Sequence, residues 1–131
     1  MKVFLVDAVH CFIIENGGRF EIFREMFDLL ESFPNRKILL TNAAKGDEYK
    51  KFGLDKVPYD VFTMEHDPEK ANPEYYRNML RHFNLRKNDV IYFEHNSNAV
   101  KNAESIGIKT YFYDQWKKDL EGLKSFLANN L

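Results

Sequence analysis

Three short apolar runs, VFLVD at 3–7, KILLTN at 37–42 and DVIYFEHN at 89–96, each stop abruptly at polar residues. Runs that are apolar throughout, instead of alternating, are the pattern of strands buried on both faces of a parallel sheet. Two further runs, Tyr59 to Met64 and Lys109 to Tyr113, are rich in aromatic and β-branched residues and read as strands as well. The segments between them have helical periodicity. Arg19 to Phe33 places Phe20, Phe23, Phe27 and Leu30 at spacings of three and four, and predicts a helix ended by Pro34. Ala43 to Phe52 is helix-compatible, and Pro73 opens a segment with Tyr76, Leu80 and Phe83 facing inward. Another helix runs to Ile106 with Gly107 as its stop, and Trp116, Leu120, Leu123 and Leu127 share one face of a closing helix.

Alternating strands and helices with short connections imply right-handed crossovers, hence a Rossmann-like, doubly wound α/β/α arrangement of three layers on a mainly parallel sheet of about five strands. Ligands of such sheets bind at the carboxyl ends of the strands. Those ends carry Asp7, Thr41-Asn42 and Glu94-His95-Asn96. Residues 1–131 fit one domain with a real core. With 44% hydrophobic and 30% charged residues the chain is too apolar to be disordered. Nineteen basic against twenty acidic residues give no field that would hold nucleic acid or an anionic membrane, so neither is expected as a partner. Cys11 is the sole cysteine, which rules out an intrachain disulfide and fits a reducing compartment. The opening MKVFLVDAVHCFII is interrupted by a charge and a histidine and is too short to span a bilayer, so the expected location is cytoplasmic.

In order and spacing, these strand ends resemble the motifs of the haloacid dehalogenase (HAD) superfamily. VFLVDAVHC is similar to motif I, with Asp7 in the place of the nucleophile, and LLTNA to motif II, with Thr41 and Asn42 in the phosphate-binding place. EKANPEYYRNML resembles motif III, with Lys70 as the phosphate-binding lysine, and DVIYFEHNSNAVKNAESIGIKT resembles motif IV, with Glu94 and His95 at the metal-binding positions beside Asp7. The resemblance implies phosphoryl transfer to an aspartate, Mg²⁺ as cofactor and a phosphorylated small molecule or macromolecule as substrate. Chemically the set is coherent. A carboxylate nucleophile divides one difficult displacement into two, and a hydroxyl and an ammonium group stabilise the charge on the phosphoryl oxygens.

The chain departs from the family pattern at positions 9, 10, 11 and 95, with His10 in place of the common glycine and Cys11 in place of threonine, and its interval before Thr41 is short. Val9 stands where its phosphatases carry a second aspartate as acid and base, which makes nearby His10 the candidate substitute. His95 stands where a metal-ligating aspartate is usual, and imidazole is a poor ligand for Mg²⁺. His10, His95, Asp7 and Glu94 could instead hold Zn²⁺ or another transition metal. The interval between Asp7 and Thr41 has room for a loop and one helix but none for an inserted cap domain. Three functions are compatible with this: a phosphohydrolase with altered acid/base and metal groups, an inactive relative that binds a phosphorylated ligand or a protein, and a dehalogenase-like hydrolase. The last is disfavoured, because those enzymes shield their substrate with a cap.

Overall fold

A computed structural model describes residues 1–131. Its centre is a five-stranded, wholly parallel sheet built from β1 (Val3–Asp7), β4 (Lys37–Thr41), β5 (Asp60–Thr63), β6 (Val90–Glu94) and β7 (Lys109–Phe112), in the order β5-β4-β1-β6-β7. The chain leaves the central strand β1 toward β4 and β5 on one side and later crosses to β6 and β7 on the other. The polar tips of β1, β4 and β6 therefore meet at the point where strand order reverses, the usual crevice of a doubly wound sheet.

Alternate residues along each strand feed two separate cores. Phe4, Val6, Leu39, Ile91 and Phe93 face a 17-residue cluster that includes Met26 and Leu30 of α1 (Arg24–Glu31) and Leu123 and Leu127 of α5 (Leu120–Asn129). Leu5, Ile38, Leu40, Val90 and Tyr92 face an 11-residue cluster containing Tyr75, Tyr76 and Met79 of α3 (Glu74–His82) and Ala103 of α4 (Ser97–Ser105). Continuous apolar runs are thus explained, because both faces of the strands are dry. No helix is long and apolar enough to cross a membrane.

Three sequence expectations need correction. The predicted helix from Arg19 begins only at Arg24, because residues before it form a hairpin of β2 (Ile13–Asn16) and β3 (Arg19–Ile22), paired Ile13 with Ile22 and Glu15 with Phe20. Gly17 and Gly18 both have positive φ, 61° and 80°, the geometry that primed two-residue turns require. Phe20 fits the helical spacing by coincidence and packs on Phe52 of α2 (Asp47–Phe52). α2 itself starts four residues later than predicted, after Gly46 at φ 99°. The closing helix starts at Leu120, capped by Asp119, whose carboxylate accepts from Gly122 N at 3.0 Å. Trp116 consequently lies outside it, in a turn, and is 85% exposed. Gly107 does end its helix with φ 93°, as its position predicts.

Candidate functional site

Asp7 and Glu94 lie on the same face of the sheet as Leu5 and Tyr92, since their positions differ by two. That is the face covered by α3. Lys70, in the segment entering α3, is therefore brought over both carboxylates and donates to Asp7 Oδ1 at 2.7 Å and Glu94 Oε1 at 2.9 Å. The lysine is pinned at its backbone, where its N–H donates to Asn42 Oδ1 at 2.8 Å and its carbonyl accepts from Asn102 Nδ2 at 3.1 Å. Asn42 thus positions Lys70 in addition to lying at the strand tip.

His95 completes the group. Its Nδ1 bonds to Asp7 Oδ2 and lies 3.2 Å from Glu94 Oε2, while its backbone N–H donates to Asp7 Oδ2 at 3.2 Å. The Cys11 thiol donates to the same oxygen at 3.2 Å. Glu94 receives a further bond from Tyr92 on Oε1 and one from Asn96 N on Oε2 at 2.9 Å. Asp7 Oδ2 accordingly has three donors, Glu94 Oε1 has two, Glu94 Oε2 has one beside its close approach to the His95 imidazole, and Asp7 Oδ1 has Lys70 alone.

The electrostatics follow from this packing. Burial by itself would raise the Asp7 pKa, but the Lys70 charge and the His95 hydrogen bond outweigh it and hold the carboxyl well below the ordinary range. Burial likewise opposes charge on His95, yet its bonds to Asp7 and Glu94 raise it to about 10. Lys70 is raised against its own desolvation by the two carboxylates. At neutral pH Asp7 is therefore ionised, and Lys70 and His95 are cations. His10, at φ 78°, packs edge-on against the His95 ring with centroids 5.2 Å apart. Burial and the neighbouring His95 lower its pKa, so it is the neutral imidazole of the site. Burial pushes the Cys11 thiol up, and Asp7 and Glu94 push it further.

A cavity of about 420 Å³ opens over this floor, and Asp7, Val9, His10, Thr41, Asn42, Lys70, Glu94 and His95 all line it. The sequence-predicted residues are thus gathered in one place. The Thr41 hydroxyl accepts from Ala43 N at 3.2 Å and keeps its own proton free to donate. The backbone N–H groups of Val9 and Asn42 have no acceptor within the protein. On the rim His66 bridges Glu48 at 2.8 Å and Glu69 at 2.6 Å, and these two hydrogen bonds raise its pKa.

Sequence reasoning missed Tyr92, Cys11 and the His66 rim. Tyr92 was within reach, because it lies two residues before Glu94 on a strand and must share its face. The four-ligand transition-metal set is also altered by the structure. The side chains whose ligand atoms fall within 4.8 Å of one another are Asp7, Cys11 and His95. His10 meets the group through its ring contact with His95, and Glu94 is engaged by Lys70 and Tyr92 at Oε1 and by Asn96 and His95 at Oε2.

No protein-family model and no curated protein matches the sequence. Solved structures do match. A HAD family enzyme of Bacteroides thetaiotaomicron, crystallised as an Asp-to-Ala variant with magnesium and inorganic phosphate, superposes with a TM-score of 0.72 at 12% identity, over 94% of this chain and 98% of that one. An uncharacterized protein of Corynebacterium glutamicum gives 0.67 at 14% identity over 98% and 96%. A Thermotoga maritima protein assigned as a β-phosphoglucomutase gives 0.52 at 26% identity, with 75% of this chain covering 46% of that one. With the strand order, the crevice and these likenesses in agreement, the chain has the haloacid dehalogenase-type fold.

Proposed function

We propose that the chain is a phosphomonoester hydrolase of the HAD type in which Asp7 Oδ1 attacks phosphorus. The observation that carries this reading is the floor of the cavity, where an ionised carboxylate oxygen with a spare lone pair sits among donors that lack protein acceptors. These are the Val9 and Asn42 N–H groups, the Thr41 hydroxyl and the third N–H of Lys70. Fixed donors aimed at one anion cost no reorganisation when charge develops, which is what phosphoryl transfer requires.

Attack by Asp7 Oδ1 forms a carboxyl–phosphate bond as the ester P–O bond breaks, and the departing oxygen takes a proton from solvent water in the open cavity. Water then attacks the phosphorus of the aspartyl-phosphate and releases inorganic phosphate. Val9 has no proton to exchange in either step. His10 lines the same cavity and is held neutral, so it suits the base that removes a proton from the attacking water. The residues do not fit Mg²⁺. That ion needs near-octahedral oxygen ligands, and the place a second carboxylate would offer beside Asp7 Oδ2 holds the His95 imidazole.

The domain reading is a single core without a large cap. It leaves the cavity open to a phosphorylated small molecule or macromolecule, with the Glu48–His66–Glu69 rim as the wall nearest the non-phosphate part. A second reading, a non-catalytic protein that binds the same phosphate group, is favoured by Val9 and by the three donors fastening Asp7 Oδ2. Phosphate release from a panel of phosphomonoesters, with and without divalent ions, separates the two. Release that is lost in Asp7→Asn is the expected result. Equal rates for the two proteins across the panel would refute hydrolysis and leave binding.

A further inference from the structure

The geometry points to His95 as a built-in replacement for the divalent cation: its imidazole clamps Asp7 and Glu94 together, closing the site to metal ions and leaving phosphate binding independent of them. This rests on the phosphate-site reading above, although its metal component stands without it. A cation in this crevice would have to share Asp7 Oδ2 and a Glu94 oxygen. Nδ1 of His95 lies between those two carboxylates already, bonded to Asp7 Oδ2 and 3.2 Å from Glu94 Oε2. Asp7 Oδ2 also accepts from Cys11 and from the His95 backbone, and both oxygens of Glu94 are doubly engaged.

An ion entering here must displace several buried hydrogen bonds at once, and a hard dication gains nothing from the nitrogen it would meet. The softer alternative, Asp7 with Cys11 and His95, has ligand atoms within 4.8 Å of each other. It would require the thiol to ionise beside two carboxylates, with its side chain fully buried. The same clamp explains how Asp7 is left with Oδ1 facing Lys70: Oδ2 is held by protein groups, so the carboxylate is oriented without a bound ion. His95 is thereby a positioning residue that acts through Asp7.

Calorimetric titration of the intact protein with Mg²⁺ alone, with Zn²⁺ alone and with inorganic phosphate tests this. No heat of metal binding up to millimolar concentrations is expected, with phosphate affinity changing less than roughly twofold between EDTA and excess Mg²⁺. His95→Asp, checked for folding by its melting curve, should gain Mg²⁺ binding, and its phosphate affinity should rise at least about tenfold when Mg²⁺ is added. Should that variant not fold, the His95 Nδ1–H proton resonance of the wild type gives a second readout, expected to stay unchanged as MgCl₂ is added. Submillimolar Mg²⁺ binding by the wild type, phosphate binding only in its presence, or Zn²⁺ binding abolished by Cys11→Ala would each overturn the inference. Absence of phosphate binding in either buffer would refute the function proposed above, while the two metal titrations would still decide whether the crevice is closed.

Discussion

Replacing Lys70 with methionine keeps an unbranched apolar stem of similar length but removes the ammonium group shared by Asp7 and Glu94. Those side chains are only 3% and 1% exposed, so water cannot take over the role of the lysine. Deleting one partner of a buried ion pair costs about 3–5 kcal/mol, chiefly because the remaining charge is left buried. At roughly 4 °C of melting temperature per kcal/mol for a domain of this size, Lys70→Met should melt about 12–20 °C below the wild type near neutral pH.

The sign of the pH dependence is a second constraint. In the wild type the Asp7 pKa is depressed below its ordinary value of 3.8, so its contribution is present above that value and lost as pH falls below it. In Lys70→Met two carboxylates share His95 alone, and uptake of a proton relieves their repulsion. The gap between the two proteins should therefore narrow as pH is lowered from about 7.5 to about 5. Lys70→Met/Glu94→Gln should recover much of the loss, since one carboxylate would then face one imidazole. Differential scanning calorimetry at the two pH values measures all of this. A deficit below about 4 °C at the higher pH, or a gap that stays constant or widens on acidification, would refute the buried four-group cluster.

Three further outcomes are expected. His95, raised from 6.5 to about 10, contributes stability that is fully present below 6.5 and lost as pH rises through about 10. Melting curves should therefore show the wild type losing more stability than His95→Asn on going from neutral to that alkaline range, and parallel profiles would contradict it. Gly18→Ala should cost about 1–2 kcal/mol in denaturant unfolding through its positive φ alone, because an added Cβ meets nothing within 4 Å. Trp116→Ala should stay within about 0.5 kcal/mol of the wild type in the same assay, a result that a helix beginning at Trp116 would not give.

The fold was legible because its signals are local. VFLVD, KILLT and VIYFE are apolar at consecutive positions up to their polar tips since each lies between two helical layers, and Gly107 stops its helix through its own backbone angle. Local signals also misled. The 3/4 spacing of Phe20, Phe23 and Phe27 conceals a hairpin that the Gly17-Gly18 turn encodes, and Trp116 continues the apolar spacing of the closing helix although Asp119 fixes the cap. The motif residues Asp7, Thr41, Lys70, Glu94 and His95 were identifiable as strand-end and loop positions, but the particular oxygens and donors that meet among them were not.

By itself the sequence determined the alternation of strands and helices, the polar strand tips, and the presence of Val9 and His95 beside them. Only the tertiary structure decided what those residues do to one another. Lys70 reaches Asp7 across 63 positions and His95 reaches it across 88, so no period or spacing along the chain records their contact. Strand order and burial set which oxygen each donor meets, and at such distances a single bond's orientation separates a metal ligand from a histidine that takes the metal's place.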